Sequence, residues 1–150
     1  MARIRTLFAL GLVVLAAAIV AAPAQAGSPE MAMLSKVNHF RRQHGLRAVH
    51  YSHSLRSSAS RYAHHMMRSG YFGHDSHIHA SHHYRRLGEI ICLQRGISAS
   101  PSVAFRAWLN SGEHRAIILD RHFNYAGAGR ASGRFHGHKS TIWVMHFGHP

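Results

Sequence analysis

The chain has 150 residues, with 18 Lys+Arg against 5 Asp+Glu, 17 His and a single Cys. One cysteine excludes a fold stapled by internal disulfides, so stability has to come from packing. The charge excess excludes a balanced surface and directs attention to anionic partners: acidic lipids, lipopolysaccharide, cell-wall polymers, or nucleic acid.

Residues 1–26 read as a secretory signal peptide. Arg3 and Arg5 form a short basic start, an apolar run extends from Leu7 to about Ala22, and Ala24-Gln25-Ala26 is a small-x-small cleavage pattern. The remaining 27–150 are the size of one domain. Without Arg3 and Arg5 the balance is 16 basic against 5 acidic side chains, +11, and it reaches +28 if every histidine is protonated. Free histidine titrates near pH 6.5, so mild acidity would make this surface much more cationic. Export makes nucleic acid the least expected of the anionic partners, and a secreted or periplasmic location follows from the same reading.

From Met31 to Gln43, Leu34, Val37 and Phe40 recur at a helical interval, and Gly45 suits a helix end. A second helix carries Leu55, Ala59, Tyr62, Ala63 and Met66 on one face, capped at its start by Ser52 or Ser54 and ended by Gly70. Tyr62 and Met66 fit a core stripe. The next stretch, His74 to His83, has no periodicity. His77, His79, His82 and His83 fit no single metal cage and read as a solvated loop that gathers metal loosely at most; His136 and His138 read the same way.

Glu89 to Leu93 is a short strand. Alternation puts Glu89 and Ile91 on one side, with Ile90 and Cys92 on the other, so Cys92 points away from Glu89 and acts as a small core residue. Ser100-Pro101 predicts a helix start with Ser at N-cap and Pro at N1, followed by a buried face of Val103, Ala104, Ala107 and Trp108. Ser111-Gly112 breaks that helix, and His114 to Leu119 forms another turn or two. Tyr125–Ala131 and Thr141–Phe147 form an antiparallel hairpin. Gly127 and Gly129 allow close backbone approach between sheet and helix. Trp108, Trp143, Phe105, Phe123 and Phe147 are core or cleft walls. The order of elements predicts an α+β fold with helices packed on an antiparallel sheet.

Several segments, in this order, resemble the bacterial branch of the CAP superfamily, also called SCP or PR-1-like proteins. They are "VNHFRRQHGL" with Asn38, Arg41, Gly45 and Leu46, then "LRSSASRYAHHM", "YFGHD", "LGEI", "WLNSGEHRAIIL", "GAGR" and "IWVMHFG". The resemblance implies one CAP domain over 27–150, an α-β-α sandwich with a small antiparallel sheet between helical layers. It also implies a cleft lined in animal and plant members by two His and two Glu. Carried over by position, these are His74, Glu89 and His114, with Ser111 where the second Glu would stand; Glu113 beside His114 is a different position. The resemblance implies divalent-metal binding in some members, lipid or sterol binding in others, and no accepted catalysis in most.

The expected function is therefore an exported binding protein. His74, Glu89 and His114 offer two imidazoles and a carboxylate to a divalent cation such as zinc, or they simply hydrogen-bond one another. A lipid, sterol or anionic envelope polymer would engage the surface, with peripheral membrane contact. Asp75 caps or holds the loop around His74, with metal ligation as its other reading. One alternative is a His/Glu or metal-assisted hydrolase of an extracellular polymer, in which His74, Glu89 and His114 would be the catalytic residues; its weakness is the lack of a nucleophile motif around Ser76, Ser111 or Cys92. The other is a structural interaction module of the cell envelope.

Overall fold

The computed structural model describes residues 27–98 and 100–150; residues 1–26, read above as a signal peptide, lie outside the described residues. The chain order is α1 (Pro29–Gln43), β1 (His50–Tyr51), α2 (His53–Ser69), β2 (Arg86–Arg95), α3 (Ser102–Asn110), α4 (Gly112–Ile118), β3 (Tyr125–Phe135) and β4 (His138–His149). The strands form one sheet in the order β1-β3-β4-β2. Strands β2, β4 and β3 pair antiparallel. The sheet is mixed rather than purely antiparallel, because the short β1, which the sequence did not announce, joins β3 in parallel. Two residues carry too little periodicity to read, and their pairing is set by where the chain leaves α1.

Side-chain alternation along the strands sorts two cores. On one face Ile90, Ala126, Ala128, Trp143, Met145 and Phe147 pack with α1, Trp108 of α3 and Ile118 of α4. On the other, Ile91, Ala131, Phe135, Ile142 and Val144 pack under Ala59, Ala63 and Met66 of α2. These are the two helical layers of an α-β-α sandwich. Cys92 lies with the first group, across the sheet from Glu89, and burial raises its thiol pKa.

The glycines of β3 explain how closely α2 sits. A Cβ at Gly127 would lie 2.1 Å from Arg56 N, and one at Gly129 2.2 Å from Ser60 N. The helix backbone therefore rests directly on the sheet, as the spacing of these glycines predicts.

The motif around Asn38 and Arg41 has an equally direct cause. Asn38 donates from Nδ2 to Val49 O (2.9 Å) and accepts from Val49 N–H at Oδ1 (2.8 Å), so one amide side chain pairs both backbone groups of the segment entering β1. Arg41 is 1% exposed and meets no carboxylate directly. Its guanidinium donates to four backbone carbonyls, those of Arg47, Ile118, Asp120 and Phe123, which ties α1 to the connections that lead into β1 and β3. Gly45 (φ 71°) closes α1: Leu46 N–H reaches Arg41 O and Gly45 N–H reaches Arg42 O, both at 3.0 Å, the Schellman pattern.

Local differences from the sequence reading are small. Helix α1 begins at Pro29, capped by Ser28 Oγ. Ser52, not Ser54, caps α2, and Gly70 (φ 68°) ends it. At α3 the cap shifts by one residue: Pro101 is the N-cap and makes no side-chain cap bond, while Ser100 Oγ accepts from Ser102 N–H (3.4 Å). Only Ala104 and Trp108 are buried on α3, with Val103 48% exposed, because a nine-residue helix crossing an edge strand presents a narrow strip to it. The hairpin strands run to Phe135 and His138. The connecting turn shrinks to His136 (φ 48°) and Gly137 (φ 81°), whose positive φ values suit the tight right-twisted hairpin connection.

Candidate functional site

The site lies on the α2 face of the sheet, at the end of edge strand β2. Glu89 is its centre. It stands on β2 directly opposite His146 of β4, and His146 is in turn opposite Gly127 of β3. Cross-strand partners share a face, so carboxylate and imidazole meet side by side beneath α2. The Glu89 side chain is 5% exposed and that of His146 is 0% exposed.

Three donors converge on the carboxylate. His74 Nδ1–H reaches Oε1 at 2.8 Å and Asp75 N–H reaches the same oxygen at 2.9 Å; His146 Nε2–H reaches Oε2 at 2.9 Å. Burial by itself raises the Glu89 pKa. The bonds from His146, Asp75 N–H and His74 outweigh it, and the group ends below the usual carboxylate range. A carboxylate accepts and cannot donate, so each ring nitrogen facing it carries the proton. That sets the orientation of His74: Nδ1 is committed inward to Glu89, while the other ring edge, on a side chain 57% exposed, faces out. This is the arrangement in which a carboxylate orients an imidazole for its partner.

The loop that presents His74 is built by α2. Tyr62 Oη donates to Gly73 O (2.7 Å), one residue before His74. Burial, then the neighbouring charges of Glu89 and Asp75, push the Tyr62 hydroxyl up to about 12, so it stays a donor at any ordinary pH. Asp75 Oδ1 accepts from His77 N–H (3.0 Å), holding the next turn of the loop, the supporting role expected of it.

His114 arrives from α4. Its ring centre lies 6.1 Å from that of His74, tilted 62°. Burial and the proximity of His74 lower its pKa below the ordinary histidine value, with Glu113 and Glu89 opposing, so it is neutral at pH 7. Ser111 ends α3 and caps α4, accepting from His114 N–H at 3.4 Å. The residue standing where the second Glu would be thus sets the start of the helix that carries His114.

Of the three residues carried over by position, His74 is bonded to Glu89, and the ring of His114 stands 6.1 Å from that of His74. Two contributors are not legible in the sequence. His146 is there only a variable position within "IWVMHFG"; the available signal is a histidine at a buried position of an otherwise apolar strand. Tyr62 fits the core stripe, and a tyrosine there differs from phenylalanine only in needing a partner for its hydroxyl. Among the described residues no three His, Cys, Asp or Glu side chains converge closely enough to cage an ion. His77, His79, His82 and His83 lie on the loop surface, with His77 and His79 edge to face at 4.8 Å and His83 Nδ1 bonded to Ser81 Oγ. His136 is exposed too, yet it ties the hairpin turn to α2 by donating from Nε2 to Gly70 O (2.7 Å). Of the candidate nucleophiles, Cys92 is on the opposite face of the sheet and Ser111 is the cap of α4; neither they nor Ser76 bond to the rings of His74 or His114 or to the Glu89 carboxylate.

Comparison with known proteins places this architecture. The chain is 26% identical over 135 residues to the uncharacterized protein YkwD of Bacillus subtilis (strain 168), covering 84% of this chain and 49% of that protein, so it spans about half the length of that curated relative. A solved outer surface protein from Borrelia burgdorferi superposes with a TM-score of 0.65 at 20% identity, over 79% of this chain and 90% of that one. An extracellular SCP-domain protein from Bacillus anthracis str. Ames superposes with a TM-score of 0.66 at 21% identity, over 81% of this chain and 40% of that one. These likenesses share the fold, and the family model for CAP, the cysteine-rich secretory protein family, matches residues 34–147. With that match running from the middle of α1 to the end of β4, the chain belongs to the CAP family.

Proposed function

We propose that this chain is an extracellular CAP-domain binding protein whose cleft takes a divalent cation, zinc being the best fit, through His74 and His114. The observation that carries the reading is the Glu89–His74 bond: the carboxylate fixes the tautomer of His74 and leaves Nε2 as a lone-pair donor beside a neutral His114. With Zn–N distances near 2.1 Å, two imidazoles on one tetrahedral ion bring their ring centres to about 5 Å. The 6.1 Å separation is within a small side-chain adjustment of that. Glu89 already accepts at both oxygens, which suits it to orient His74 rather than to ligate. An ion there would supply a Lewis-acidic point for an anionic or carbonyl group of a ligand. Two protein ligands make a modest site, with the remaining positions of the ion left to water or ligand.

An extracellular location is supported by the solved relatives, one named as an outer surface protein and one as extracellular, and by the leader-like residues 1–26. No helix among the described residues is long and apolar enough to cross a membrane.

Calorimetric titration of Zn²⁺ into the mature protein and into His74→Ala/His114→Ala tests the cleft. The double variant should lose the tightest binding event. Unchanged binding would sink the proposal and assign metal uptake to the histidine-rich loop. Glu89→Gln, which keeps the shape but not the charge, should weaken binding by about 10–100-fold.

A further inference from the structure

The outer face of α2 takes no part in the cleft, and its charge is unbalanced. Arg56, Arg61 and Arg68 fall on one side of this 17-residue helix together with His64 and His65, and α2 contains no acidic residue. Their side chains border a shallow depression of about 510 Å³, with Ser57 and Ser60 contributing hydroxyls. At about 1.5 Å per residue, Arg56 to Arg68 spans roughly 18 Å of helix.

The protein's acids are engaged elsewhere. Glu30 pairs with Arg130, Asp120 with Arg86, and Glu89 with His74 and His146. Glu113 is on α4. Asp75 alone borders the helix, in the adjoining pocket that shares Arg61 and His65, and it accepts from its own loop. No α2 arginine enters an ion pair among the described residues. Arg61 is nonetheless ordered: it donates to Ser57 Oγ (3.0 Å) and to His79 O (2.8 Å). The helix beneath is immobilised by its seat on Gly127 and Gly129.

We propose that this face docks an extended phosphate polymer, with Arg56, Arg61 and Arg68 engaging phosphate groups spaced along it. Three features select this occupant. All the fixed charges are arginine, whose planar fork matches phosphate bidentately, where lysine offers only a point charge. Arg61 and Arg68, seven residues apart, are nearly aligned along the helix, and Arg56, about 140° around it, borders the same depression, so a chain crossing that depression meets all three. No large exposed apolar side chain lies on α2, those among the described residues being Met31, Tyr51, Tyr71, Phe72, Leu87, Leu93, Ile97 and Val103, so the helix has nothing to insert into a bilayer. The inference is independent of the cation reading, since none of these arginines touches His74, Glu89 or His114.

Binding of long-chain inorganic polyphosphate, measured by fluorescence anisotropy across a salt series, tests it. Arg56→Gln/Arg61→Gln/Arg68→Gln should lose at least about tenfold in affinity, and the slope of log K against log salt should fall by about 3, one per phosphate contact. The matched variant Arg42→Gln/Arg106→Gln/Arg121→Gln removes the same charge from other exposed sites and should retain most of the affinity. Arg→Lys at the three α2 positions keeps the charge and should still weaken binding severalfold. Equal losses in the two Gln variants, or full affinity in the Lys variant, would overturn the assignment. So would vesicles of anionic phospholipid out-competing polyphosphate at equal phosphate concentration. Unchanged melting temperatures in all variants show that the readout is binding and not folding.

Discussion

Replacing His146 by leucine isolates the buried donor that no motif identified. The substitution removes Nε2–H from Glu89 Oε2 while keeping an apolar side chain of similar size in a site that is 0% exposed. Glu89 retains His74 and Asp75 N–H on Oε1, but Oε2 is left without a donor in a place closed to water. A hydrogen bond to a charged group contributes about 1.5–3 kcal/mol. The variant also loses a liability, because His146 Nδ1 is itself buried with no partner among the described residues; removing it returns part of the loss. The net cost at pH 7 is about 1–3 kcal/mol, and for a domain of this size each kcal/mol lowers Tm by about 4 °C. Differential scanning calorimetry in chelator-treated buffer measures it. The pH dependence is the sharper check. In the wild type the folded pKa of Glu89 is depressed, so its contribution is present above the unfolded value near 4.3 and is lost as pH falls through the folded value. Without His146 the burial that raises the Glu89 pKa has less opposing it. A protonated Glu89 needs no donor at Oε2, so the gap between wild type and variant should narrow as pH drops below about 4.3. A gap that stays constant from about pH 7 to about pH 3 would refute the reasoning.

Gly127→Ala places a methyl 2.1 Å from Arg56 N, against helix backbone that cannot move aside, and should cost about 3 kcal/mol or more, read as loss of the cooperative thermal transition at its wild-type temperature. Asn38→Ala unpairs both backbone groups of Val49 and should destabilise by about 2–3 kcal/mol in urea unfolding, with an unchanged m-value. Cys92 should react with iodoacetamide at about pH 7.5 more slowly than free cysteine and reach the free rate only in denaturant, because burial raises its pKa and it packs against the α1–α3 core.

Legibility followed the range of the interaction. The faces of α1 and α2, the glycine ends of both helices and the terminal hairpin were readable because periodicity and turn chemistry act over a few residues. Cys92 facing away from Glu89 followed from alternation along a single strand. Errors came where a neighbour decides: the cap of α3 moved by one residue, the turn shortened to His136-Gly137, and β1 depends wholly on its partner β3. The resemblance supplied His74, Glu89 and His114 by position. It was silent on why Ser111 stands where a carboxylate would, and the structure shows that Ser111 caps the helix bearing His114.

By itself the sequence determined a basic α+β fold without internal disulfides, the kinds and approximate limits of its main elements, and its family. Those properties are written in composition, local periodicity and ordered motifs. Only the tertiary structure decided that Glu89 is shared between His74 and His146, that His74 therefore turns one nitrogen outward, and that the arginines of α2 face away from every acid that could pair with them except Asp75 at their margin. Each of these depends on which residues lie opposite across the sheet or across a helix face. His146 is 57 residues from Glu89 along the chain, and no local pattern carries information over that distance; the register of β2 on β4 does.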